Sequence, residues 1–252
     1  MNSTTRFTDR ADNYARYRPG YPAEALAYLK EQVHLHSDMI VADIGSGTGI
    51  SSALFLENGH TVYGIEPNDA MRAKSITLLN HYPNFHGIKG TAENTGLKDS
   101  SIDIIFAAQS FHWFSQQEAK AEFRRIATPD AWILLMWNIR ELSSPFAQAY
   151  ESLLKKYGTG YQEAARDMAS EDKNTAFFSP CKFEKVTFPS IHRLDYEELK
   201  GRLLSISFVP AEQDPCSQPM LHELTEIFNH YEENGQVNFG YTTTLYAARA
   251  HC

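Results

Sequence analysis

Three glycines on alternate positions, Gly45, Gly47 and Gly49, follow a short apolar run, Met39 to Ala42, and an acid, Asp43. The next residues, Ile50 to Leu56, suit a helix. A strand, a glycine turn and a helix N-terminus together make a cradle for a nucleotide-like ligand. Without a Cβ at Gly47 the backbone can approach such a ligand closely. Ser46, Thr48 and the amides beyond them lie where unpaired N–H groups attract a carboxylate or phosphate. Glu66 stands at the tip of the next apolar run, His60 to Ile65. Its two acceptor oxygens suit the two hydroxyls of a ribose. Gln109 to Phe114, QSFHWF, sets a titratable ring, His112, among Phe111, Trp113 and Phe114. Aromatic faces attract cations, and His112 can take a proton or donate a hydrogen bond to a carboxylate.

The spacing separates two nucleotide chemistries. A dinucleotide fingerprint, G-x-G-x-x-G, would need its third glycine at Ile50. The pattern acidic-x-G-x-G-x-G from Asp43 instead resembles the class I S-adenosylmethionine (SAM) dependent methyltransferases with a methyltransferase type 11 domain. The resemblance implies a loop wrapped around the amino-acid end of SAM, with Asp43, Gly45, Ser46, Gly47 and Gly49 as cofactor residues. It puts Glu66, Pro67, Asn68 and Met71 near the ribose and adenine, Ala92 and Glu93 at the adenine edge, and Gln109 beside the cofactor. The stretch Tyr14 to Pro22 fits Y-x-x-x-R-P-x-Y-P. It resembles the arm of small-molecule methyltransferases related to trans-aconitate methyltransferase, which folds over the cofactor. That likeness makes Tyr14, Tyr17 and Arg18 part of the cofactor and substrate cavity, and the same group carries a matching His-Trp pair at His112 and Trp113. Plainer readings stand beside these: Met71 as helix core, Glu93 as a cap, His112 as the cap of the next helix, and Arg18 in an ion pair. Asn138, at the end of the fifth strand, either faces substrate or shapes a turn.

The elements that must position these residues read as one α/β domain over residues 1–252, with a doubly wound, mostly parallel seven-stranded sheet of Rossmann-like methyltransferase type. Residues 1–36 are an arm and a helix, and 37–140 the cofactor core. Residues 141–180 and 195–235 are helical lid insertions, and 181–194 and 236–250 the last strands, which the resemblance pairs as an antiparallel hairpin. Pro19 and Pro22 interrupt the arm. Further strands are expected at Phe85 to Lys89, Ile102 to Ala107 and Ala131 to Trp137, with Thr128 to Asp130 as a turn. Ser144 caps a helix that Gly158 ends, and a second lid helix runs from Tyr161 to about Ser170.

The chain has 252 residues and a net charge of -8, which argues against a broad nucleic-acid footprint. Cys181, Cys216 and Cys252 form no C-x-x-C and no metal spacing, and read as free thiols of a cytoplasmic protein. His34 and His36 are expected on a surface helix and are not read as metal ligands, so no metal is expected. The polar N-terminus is no signal peptide, and no apolar run approaches the ~18 residues of a membrane span. The expected partner is a small-molecule methyl acceptor, with no nucleic acid and no membrane, and the protein is a monomer or homodimer. Methyl transfer by in-line displacement needs positioning rather than covalent help. A carboxylate acceptor, ionised at pH 7, would need a cation and hydrogen-bond donors but no base. Rival functions are an NAD-dependent oxidoreductase, a non-catalytic SAM-binding regulator and a nucleic-acid methyltransferase. The first fails on glycine spacing, and the last lacks an Asn/Asp-Pro-Pro-aromatic motif after the fourth strand.

Overall fold

The computed structural model describes residues 10–161 and 171–251. In chain order its elements are α1 (Ala11–Tyr17), α2 (Ala23–Gln32), β1 (Ile40–Ile44), α3 (Ile50–Leu56), β2 (Thr61–Ile65), α4 (Asp69–Leu78), β3 (Phe85–Ile88), β4 (Ile102–Ala108), α5 (Gln116–Ile126) and β5 (Ala127–Arg140). After them come α6 (Pro145–Tyr157), α7 (Glu171–Phe178), β6 (Phe183–Leu194), α8 (Tyr196–Leu204), α9 (Ser217–Tyr231) and β7 (Val237–Arg249).

The seven strands form one sheet in the order β3-β2-β1-β4-β5-β7-β6. The first five strands pair in parallel. β7 lies antiparallel between β5 and β6, so the sheet is mixed. The order reverses between β1 and β4, and open α/β sheets place ligands beyond the carboxyl ends of strands at such a switch. The loop after β1 holds Gly45 to Gly49, and the segment after β4 holds Gln109 to Phe114.

Alternation along the central strands explains the layers. On β4, Ile104 and Phe106 join α2 and α3 on one face, while Ile105 and Ala107 join α5 and α7 on the other. A run apolar at every position is what burial on both faces demands. A third apolar cluster packs α6, α8 and α9 around the outer ends of β6 and β7, through Leu194, Val237, Phe239 and Tyr241.

Several boundaries differ from the sequence reading. The arm contains a helix, α1, because only its last residues meet Pro19. Thr128 to Asp130 is strand rather than turn, since Ala127 already pairs with Ile102 across an irregular register. α6 begins as expected, with Ser144 Oγ accepting the Ala147 amide. The helix expected from Tyr161 to Ser170 lies outside the described residues beyond Tyr161 itself. α7 is not part of a lid: Phe177 and Phe178 are buried with Phe111 and Phe123 against the sheet. Cys181 is disulfide-bonded, and only Cys216 is a free, exposed thiol among the described residues. The thiol argument for a reducing compartment therefore does not stand. No described helix is long and apolar enough to cross a membrane.

Candidate active site

Two adjoining cavities sit at the switch point. The smaller, about 160 Å³, is lined by Glu66, Pro67, Met71, Ala92, Glu93, Ser110 and Phe114. The larger, about 300 Å³, is lined by Arg18, Tyr21, Ser46, His112, Trp137, Asn138 and residues of the outer helical cluster. Tyr14, Gly45, Gly47, Ala108, Gln109 and Trp113 border both.

The smaller cavity is built by the glycine turn and by Glu66. Gly47 has φ +57, and a Cβ there would point toward the Met71 methyl at 3.3 Å and the Tyr14 ring at 4.0 Å, into the space a ligand would fill. Gly49 has φ +90, and its Cβ would lie 2.6 Å from Leu79 Cδ1. This glycine thus permits close packing of the α3 N-terminus on the end of α4, rather than on the strand, and lines neither cavity. The Glu66 carboxylate accepts the Gly47 amide at 2.9 Å and the Asn68 amide at 2.8 Å. It is 8% exposed. Burial raises its pKa, against the pull of those two amides. Asn68 caps α4 by accepting the Met71 amide at 3.0 Å. Glu93 accepts the Ser115 amide at 2.8 Å, so it braces the loop as well as lining the wall. That loop is tied to α5 by Glu122, which accepts from Thr95 and Arg125, the arginine hydrogen bonds doing most to hold it down to about 2.

Asp43 lines neither cavity. It lies fully buried behind the turn, where Ser51 and Ser52 each donate to Oδ2 at 2.7 Å and Oδ1 has no partner among the described residues. Desolvation outweighs the two hydroxyls and pushes its pKa up to about 6 from 3.8. The folded carboxyl therefore keeps its proton to higher pH than the unfolded one. Its contribution to stability is fullest in acid and is lost as pH rises between those values. The difference amounts to roughly 3 kcal/mol. Asp43→Asn is expected to gain stability on the natural protein between about pH 4 and pH 6 by roughly that amount. Denaturant unfolding across that range checks this, and curves that stay parallel would refute it.

The larger cavity has an aromatic and cationic lining. The His112 ring lies 4.6 Å from Trp113 and 5.5 Å from Trp137. Gln109 holds a left-handed backbone, φ +58, and donates from Nε2 to the Asn138 carbonyl at 3.0 Å. Non-glycine residues in this conformation are sparse and gather at functional sites. Asn138 is committed to structure: it donates to the Gly20 carbonyl at 3.0 Å and accepts from Thr243 at 2.6 Å. Arg18 lies 4.9 Å over the Tyr14 ring and donates to the Ser205 carbonyl at 3.3 Å. Tyr17 turns away from both cavities and packs on Gly201. Tyr21 is half-buried; desolvation, with Tyr14 and Asp43 nearby, raises its pKa against the pull of Arg18.

Reasoning from the sequence missed a group of liners from far along the chain, among them Arg140, Tyr150, Glu151, Arg202 and Tyr241. No short motif marks them. The one local signal is Arg140, a charge that follows the apolar run Ala131 to Trp137 at the end of β5.

The buried carboxylate beside an amide-lined turn, and the cradle that a Cβ at Gly47 would fill, fit a SAM-sized adenosyl ligand in the smaller cavity. Residues 42–135 match the family model described as a methyltransferase domain. An uncharacterized methyltransferase of Schizosaccharomyces pombe is 26% identical over 98% of both chains. Among solved structures, a protein described as a type II methyltransferase of Anaeromyxobacter dehalogenans superposes with a TM-score of 0.71 at 21% identity, over 93% of this chain and 99% of that one. A SAM-dependent methyltransferase of Aquifex aeolicus gives 0.53 at 15% identity, over 95% and 98%. These two share the fold. The oxidoreductase and non-catalytic readings give way: this chain is a SAM-dependent methyltransferase, with its methyltransferase domain in residues 42–135.

Proposed function

We propose that the acceptor is a small molecule and that the group methylated is a carboxylate. One observation carries this reading. Among the described residues, the cavity that adjoins the cofactor pocket is lined by three guanidinium groups, Arg18, Arg140 and Arg202, against one carboxylate, Glu151. A space of about 300 Å³ suits a metabolite, and its charge suits an acid. The likeness of the arm to the trans-aconitate methyltransferase group leads the same way. In this reading Glu66 holds the ribose, the Gly45 to Gly47 turn receives the amino-acid end of SAM, and Ala92 and Glu93 flank the adenine. When bound, SAM would supply a methyl on a cationic sulfur, which an ionised carboxylate could accept with no proton to move, S-adenosylhomocysteine being the leaving group. The protein's part is to align and to exclude water. Alignment of this kind can supply ~7 to 11 kcal/mol of a barrier. Tyr14 and Trp113 border both cavities, and His112 and Gln109 orient the carboxylate.

With a carboxylate acceptor, kcat/KM is expected to be flat from about pH 7 to about pH 9, since the nucleophile is already ionised. His112→Gln is expected to lower it about tenfold without reshaping the profile. The assay is transfer of labelled methyl from SAM to a panel of organic acids. An acid limb near pH 6 to 7 that vanishes in His112→Gln would instead make His112 a general base for an alcohol or amine.

A further inference from the structure

Two guanidinium groups, Arg140 and Arg202, line the larger cavity around Tyr241. Arg140 closes β5, and Tyr241 pairs with it across the β5–β7 ladder. Arg202, on α8, donates from Nη1 to the same Tyr241 hydroxyl at 3.2 Å and from Nε to the Tyr17 carbonyl at 2.9 Å. Arg140 gives Nη2 to Glu151 at 3.2 Å and to the Tyr161 hydroxyl. Among the described residues this leaves Arg140 Nη1 and Arg202 Nη2 without a partner, while both residues line the cavity. Arg202 is 8% exposed and meets no carboxylate among the described residues. The rings around the two charges offer cation–π contact at 5.6 to 5.9 Å. They screen the charges from water without neutralising them. Glu151, the one acid lining the cavity among the described residues, also has Lys155 3.7 Å away.

We infer that Arg140 and Arg202 form an anion subsite, which binds a second acidic group of the acceptor at the end remote from the methylated atom. Two partly buried guanidinium groups on one cavity wall, one of them with no carboxylate partner among the described residues, are costly unless an anion joins them, and a guanidinium fork suits a carboxylate or a phosphate. Position makes the subsite remote. Gly45 continues β1 to the level of Ala108 and Met136, where the turn and Gln109 meet the cofactor pocket. Arg140 lies four residues further along β5, about 13 Å at the usual rise. The acceptor is thus an elongated diacid, or an acid with a phosphate at its other end. This inference rests on the carboxylate reading above and narrows it.

The test uses the whole protein with S-adenosylhomocysteine bound. Succinate, glutarate, adipate and suberate are titrated by tryptophan fluorescence, since Trp113 and Trp137 line the cavity. The matched monocarboxylates and 3-phosphoglycerate run beside them, and the same compounds are offered for labelled methyl transfer. A diacid or the phosphate-bearing acid is expected to bind at least about tenfold more tightly than its monoacid, and whichever of the two does so identifies the anion. The double variant Arg140→Met with Glu151→Gln removes the pair without stranding a buried charge, and is expected to erase that preference while S-adenosylhomocysteine binding stays unchanged. Arg140→Lys, which keeps charge but loses the fork, is expected to retain part of it. Equal binding of monoacids and diacids, or a preference that survives the double variant, would overturn the subsite and leave the carboxylate reading intact. If no acid binds or is methylated while S-adenosylhomocysteine binds normally, the carboxylate reading falls, and the subsite with it.

Discussion

Glu66→Ala is expected to weaken S-adenosylhomocysteine binding about 100-fold, or about 3 kcal/mol. The side chain joins two parts of the pocket. Its oxygens accept from Gly47 on the glycine turn and from Asn68 at the start of α4. An ionised carboxylate has about four lone-pair sites, so two remain for ribose hydroxyls. Alanine removes those acceptors and leaves the Gly47 and Asn68 amides without their partner. Glutamine is no mild substitute, because its NH₂ would face one of two N–H donors. Both variants are read by calorimetry, with circular dichroism to confirm folding. Full affinity in a folded Glu66→Ala protein would remove Glu66 from the ribose site.

The second large effect lies on the other side of the cavity. Glycine to alanine inside a helix ordinarily stabilises by about 1 kcal/mol. At Gly201, in α8, the sign is expected to reverse. A Cβ there would stand 2.3 Å from two carbons of the Tyr17 ring and 2.5 Å from a third, and a ring cannot yield as a flexible chain end does. Tyr17 would have to leave, and α1 with it. The arm is held to this part of the chain at several points. Arg10 donates to the carbonyls of Leu204, Ile206 and Val209, Arg18 to that of Ser205, and Arg202 to that of Tyr17. Loss of this docking is expected to cost about 2 to 4 kcal/mol and to weaken cofactor binding, because Tyr14 on the same helix walls both cavities. Thermal unfolding and S-adenosylhomocysteine titration read the two effects. A Gly201→Ala protein as stable as the natural one, with unchanged affinity, would show that the arm does not close the site.

The cofactor half was legible because its chemistry is local. A turn that excludes side chains, and an acid at the next strand tip, must be near neighbours in the chain, so Gly45, Gly47 and Glu66 announce themselves by spacing. The central strands were legible for a related reason: burial on both faces forces apolar runs in β1 and β4, whereas β3 lies at the sheet edge with no buried residue. The acceptor half was not. Arg140 and Tyr150 flank a strand end and a helix, while Arg202 and Tyr241 come from α8 and β7, and only the β5–β7 ladder and the outer cluster bring them together. The arm was misjudged in its detail. Tyr14 and Tyr17 are both aromatic on one short helix, and nothing nearby in the sequence says that Tyr17 faces Gly201 rather than the cavity. Nothing in the sequence of residues 141–180 separates lid from sheet cover, and only the packing of Phe177 and Phe178 against Phe111 and Phe123 puts α7 with the sheet.

The place of β7 between β5 and β6 bears on how the molecule is made. During synthesis β6 emerges before the one strand that joins it to the sheet, and β5 meanwhile keeps an open outer edge. Exposed edges of this kind invite pairing with other chains. Until Val237 to Arg249 inserts, a nascent chain holds the lining of the smaller cavity beside a larger cavity that lacks both Phe239 and Tyr241. The larger cavity is therefore completed only when β7 joins the sheet, and a translation product cut short before β7 would carry the glycine turn beside an unfinished wall.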